Sequence, residues 1–74
     1  MVHVNVKKTG DNIRRLMDER GIMAKDVQRV LCLESAQAIY KWLNGKTLPT
    51  IDNLCGLAKI LQVDINDIIV VEEY

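Results

Sequence analysis

The chain has 74 residues, 49% hydrophobic and 27% charged, which bounds it to one small globular domain. Ten Lys and Arg balance ten Asp and Glu, and a net charge of zero argues against a general polyanion binder. No apolar run approaches the roughly 18 residues of a membrane span. The opening MVHVNVKK lacks the basic-then-apolar order of a signal peptide, so the cytoplasm is the expected location.

In chain order, Val2, Val4 and Val6 alternate with His3 and Asn5, a strand-like period of two. Thr9 is a candidate cap for a first helix whose apolar stripe is Ile13, Leu16 and Met17, and Gly21 ends it. A second helix is expected from about Ala24 to Cys32, with Val27, Val30 and Leu31 inward. A third follows after only Leu33-Glu34, with Ser35 as its cap and Asn44-Gly45 as its stop. Thr50 opens a fourth, striped by Leu54, Leu57, Ala58 and Leu61. Asp64 caps a last short helix holding Ile65, Ile68 and Ile69. Ile68 to Val71 is apolar and β-branched. The two ends of the chain can therefore pair as a short β-ribbon, within one chain or between two, or simply fray.

Five short helices with short links make a compact all-α bundle. Its core leaves no room for an enclosed active-site cavity. No enzyme is expected: His3 is the only histidine, and no Cys/His or carboxylate cluster has catalytic or metal-ligand spacing. No cofactor or small-molecule ligand is indicated. Cys32 and Cys55 lie inside helical patterns and are expected as buried free thiols. Residues 1–46 carry nine Lys/Arg against five Asp/Glu, and residues 47–74 one against five. That asymmetry is compatible with one anion-facing side.

Two short helices joined by a tight turn form a helix-turn-helix, whose second helix can lie in a DNA major groove. The third helix suits that task. Ile39, Trp42 and Leu43 fall within about 100° on the helical wheel, whereas Ala36, Gln37, Tyr40, Lys41 and Asn44 span about 140° on the other side. The outer arc holds no carboxylate to repel phosphate.

Four features then fall in a particular order: Gly21-Ile-Met-Ala-Lys-Asp-Val, Trp42-Leu-Asn-Gly45, Pro49, and Leu57-Ala-Lys-Ile-Leu-Gln-Val63. Over residues 9–70 this resembles the Cro/phage-repressor (XRE-type) helix-turn-helix domain. The resemblance implies a lambda-repressor-like fold for residues 1–74, sequence-specific binding to double-stranded DNA, and action as a homodimeric transcriptional regulator. Carried over by position, Ala36, Gln37 and Lys41 would contact bases. Lys25, Ser35, Tyr40, Asn44, Lys46 and Thr47 would contact the phosphate backbone. The sequence departs from the family in having Ala24 where a phosphate-binding Gln often starts helix two. Gln28 replaces a small residue, and Cys32 replaces the glycine in a turn one residue longer than usual. An Arg–Glu pair common in the family is replaced by Met17 and Leu43, which are therefore expected to be buried in contact. The alternative reading is a protein-interaction module on the same fold, antitoxin-like or partner-binding, and the zero net charge favours it. Gly56, opposite the core stripe of the fourth helix, would be solvent-exposed or allow close approach in a dimer.

Overall fold

A computed structural model describes residues 1–74 in full. The elements in chain order are β1 (Val2–Val4), α1 (Val6–Arg20), α2 (Ala24–Val30), α3 (Gln37–Leu43), α4 (Ile51–Leu61), α5 (Ile65–Ile68) and β2 (Val71–Glu73). The two strands pair antiparallel within the chain, with Val2 opposite Glu73, His3 opposite Glu72 and Val4 opposite Val71. No helix is long and apolar enough to cross a membrane.

The first helix starts earlier than its sequence suggests. Asn5 Oδ1 accepts the Lys8 N–H at 2.7 Å, so Asn5 is the cap and α1 gains its first turn there. Thr9 is a core residue instead. It is 1% exposed, and its Oγ1 accepts the N–H of Val70 at 2.9 Å, tying α1 to the entry of β2. Asn12 adds a second tie, its Nδ2 donating to the carbonyls of Asp67 and Ile68.

Four helices end on the same device. Beyond α1, α2, α3 and α4 stand Gly21, Cys32, Gly45 and Gln62, with φ of 64°, 56°, 72° and 57°. In each case the N–H of the next residue returns to a carbonyl of the last turn: Ile22 to Met17, Leu33 to Gln28, Lys46 to Lys41, and Val63 to Ala58. This satisfies carbonyls that a helix end otherwise leaves open. At Cys32 the left-handed turn also shortens α2, which stops at Val30 rather than Cys32. The connection to α3 therefore runs over six residues, 31–36, and not two. Gln28 braces it, its Nε2 donating to the Leu33 carbonyl at 3.4 Å.

The core joins Ile13, Leu16 and Met17 of α1 to Val27, to Ile39, Trp42 and Leu43 of α3, and to Leu57, Leu61 and Ile68. Most of the expected stripes are buried as read. Val30 is the exception at 56% exposed, because the early end of α2 leaves it on the outer side. Both cysteines are free and exposed rather than buried. Gly56 is half-buried rather than solvent-facing. A side chain there would run into Leu31 Cδ2, so its lack of a Cβ lets α2 and α4 close together.

Candidate nucleic-acid interface

The packing of α3 on α1 fixes the face that α3 turns outward. Trp42 and Leu43 are 4% and 5% exposed, and Ile39 is fully buried. Gly10 allows this closeness, since a Cβ there would overlap the Trp42 carbonyl and lie 3.2 Å from that of Leu43. Met17 and Leu43, expected to be buried in contact, are both buried in the same core. They line one cleft of about 180 Å³ together with Ile22, Ala24 and Tyr40.

With that side anchored, Gln37, Tyr40, Lys41, Asn44, Lys46 and Thr47 line a single shallow concavity of about 620 Å³. Three come from α3, Asn44 is its C-cap, and two come from the loop after it. The loop is held by the closing turn of α3: Gly45 N–H meets the Trp42 carbonyl at 3.1 Å, and Lys46 N–H meets that of Lys41 at 2.8 Å. Six of the nine residues assigned to the site by sequence thus converge. The other three lie outside it, Ser35 and Ala36 just before α3 and Lys25 on α2. Ser35 Oγ accepts the Gln37 N–H at 3.3 Å at the start of α3. Ala36 is the N-cap itself, half-buried, with its carbonyl taking the Tyr40 N–H at 3.1 Å. Lys25 is exposed on the first turn of α2.

Five of the ten basic side chains are paired: Lys7, Lys8, Arg15, Arg20 and Arg29 each hold a carboxylate within salt-bridge distance. Arg14 and Lys59, away from this face, are unpaired. Lys41 and Lys46 hold no carboxylate either, nor does Lys25, and no acidic residue lines the concavity. Their charge is uncompensated at short range and available to an anion.

One neighbour of the site was not legible in the sequence. Gly45 lies against the first turn of α1, where a Cβ would come within 2.9 Å of Lys7 Cα. Lys7 therefore stands beside the loop that carries Lys46, although 38 positions separate Lys7 from Gly45. Its ammonium is shared with Asp11 at 3.2 Å. No local pattern connects the two segments, so only the folded chain brings Lys7 to this edge.

No curated protein sequence matches the chain significantly. Among solved structures, the chain is similar to the restriction-modification controller protein C.AhdI from Aeromonas hydrophila, at 17% identity and TM-score 0.76, over 85% of this chain and 94% of that one. It is likewise similar to the DNA-binding domain of BldD, at 18% identity and TM-score 0.72, over 89% and 94% of the two chains. At these identities the likeness establishes the fold. The helix-turn-helix family model matches residues 13–68, from the core stripe of α1 through α5. With α2 and α3 set as its two central helices, the chain belongs to the helix-turn-helix family of the XRE/Cro type.

Proposed function

We propose that the chain is a small cytoplasmic transcriptional regulator that binds double-stranded DNA sequence-specifically, with α3 in the major groove, and works as a homodimer on paired half-sites. The family is one of DNA-binding regulators rather than enzymes. The observation that carries the finer reading is the outer face of α3, a concavity lined mostly by polar residues, with two unpaired lysines and no carboxylate. Gln37 has the donor and acceptor to pair bidentately with adenine, and Lys41 can donate to guanine. Each good pair is worth about 1–3 kcal/mol of discrimination. Ala36 offers apolar contact to a thymine methyl. Lys25, Ser35, Tyr40, Asn44, Lys46 and Thr47 would hold phosphates and set the register of the helix. Lys7 joins them from α1. Two copies would read half-sites about one helical turn apart.

The test is selection from a random DNA pool, followed by affinity measurements at two salt concentrations. A motif should emerge, and Gln37→Ala should relax it at one position. Lys46→Ala should weaken binding across all sequences and lower the salt slope by about 1. The zero net charge and Ala24 favour a protein-interaction module instead. Weak, salt-sensitive binding with no enriched motif would establish that second reading.

A further inference from the structure

The terminal ribbon leaves the outer edge of β1 open, and a strand edge of this kind can pair with a second copy of itself. The ladder between the strands includes the Asn5 N–H to the Val70 carbonyl at 2.8 Å and the Tyr74 N–H to the Met1 carbonyl at 2.9 Å. In an antiparallel pair the bonded residues alternate. Met1, His3 and Asn5 therefore turn their backbone groups toward β2, while Val2 and Val4 turn theirs to the open side. On β2 the outward-turned residues are Val71 and Glu73. No helix makes an extensive contact with β1, and Val2 on β1 and Val71 on β2 are 61% and 49% exposed.

We infer that a second copy of this chain adds to the β1 edge, antiparallel and centred on His3, making a four-stranded sheet in the order β2-β1-β1-β2. Parity permits this register. Val2 of one copy falls opposite Val4 of the other, and both carry outward N–H and C=O groups, so each Val2–Val4 pair exchanges two hydrogen bonds. The pairing also continues the apolar surface. Val2, Val4, Val71 and Glu73 share one face of the ribbon, and the twofold joins the Val2 and Val4 side chains of one copy to those of the second.

Charge selects β1 over β2. The β2 edge turns Glu73 outward, and the same operation centred on Glu72 brings the two Glu72 carboxylates opposite each other, each already held by its own Lys8 and Asn5. The outer edge of β1 carries no carboxylate. Pairing β1 of one copy with β2 of the next would leave a free edge at each end and grow without closing, whereas the β1–β1 contact closes as a dimer.

This interface rests on the homodimer in the proposed function but not on its base-reading assignments. Three paired residues bury less than the roughly 1,000 Å² of a stable interface, so the dimer in free solution is weak. On DNA, the neighbouring half-site raises the effective concentration of the second copy.

Sedimentation of the untagged chain up to about 1 mM, a range suited to so small an interface, tests it. The wild type should show a reversible monomer–dimer equilibrium. Val2→Pro removes an outward N–H without touching the ladder to β2, and should weaken association about tenfold or more, since two symmetry-related bonds are lost. Glu73→Pro makes the same change on the other edge and should leave association unaltered. Val2→Lys is a second disruption that keeps the N–H, and helical circular dichroism with the melting temperature shows that each variant folds. Association unaffected by Val2→Pro and Val2→Lys, or lost in Glu73→Pro alone, overturns the interface while leaving a dimeric DNA reader intact. A wild type that stays monomeric throughout the range overturns the interface itself. An enriched motif with a single half-site would then separate that outcome from failure of DNA reading.

Discussion

Gly10 and Gly56 offer matched tests of what the helix crossings can tolerate. Each is a helical glycine at which a Cβ would overlap another element, by roughly 1 Å at Gly10. Alanine gains about 1 kcal/mol of helix propensity over glycine at either site. What the methyl meets differs. At Gly10 it meets the Trp42 carbonyl, and the Leu43 carbonyl and Gly45 N–H follow at 3.2 and 3.3 Å. This is backbone on three sides, and that carbonyl also accepts the hydrogen bond that closes α3. Relief requires α3 to retreat from α1, opening the contact that buries Ile39, Trp42 and Leu43. Overpacking costs about 1–3 kcal/mol, and an immovable neighbour puts Gly10→Ala at the upper end. After the propensity gain the net loss is about 2 kcal/mol, roughly 8–16 °C in melting temperature for a domain of this size. At Gly56 the obstacle is the end of the Leu31 side chain, which can change rotamer at about 1 kcal/mol, so Gly56→Ala should be within about 0.5 kcal/mol of wild type. Urea denaturation of both variants measures the difference. Equal stability of the two, or a neutral Gly10→Ala, would refute the claim that a backbone contact fixes the seat of α3.

Three further outcomes are expected. Cys32→Gly should stabilise the domain by about 0.5–1 kcal/mol, because a β-carbon at φ 56° is strained and glycine is not; the denaturation midpoint reads it. Thr9→Val should cost about 1 kcal/mol by leaving the half-buried Val70 N–H without its acceptor, and the Val70 amide should lose protection from hydrogen exchange. Leu43→Glu should cost about 3 kcal/mol or more as a buried unpaired charge, and Met17→Arg added to it should recover at least about 1 kcal/mol. A double-mutant cycle with no coupling would show that the two side chains do not share the site that the family's ion pair fills.

What the sequence alone determined was the set of helices and their inward faces. Ile13, Leu16 and Met17, then Ile39, Trp42 and Leu43, then Leu57 and Leu61 repeat at helical spacing, and burial follows that spacing wherever an amphipathic stripe is long enough. It also placed the outward arc of α3, because anchoring one side of a helix dictates the other. Tertiary structure decided the ends and the neighbours. Thr9 and Asn5 are both competent caps by chemistry. Asn5 won because Val70 claims the Thr9 hydroxyl from the far end of the chain. The exposure of Cys55 and the seat of Gly56 depend on how α4 meets α2, which the period of α4 does not specify. Lys7 reached the edge of the outer face of α3 only because Gly10 and Gly45 let α1 and the loop after α3 approach without side chains between them. Periodicity is a property of neighbours in sequence. Caps, turns and the company of a site are settled by contacts that close over tens of residues, and those exist only once the chain has folded.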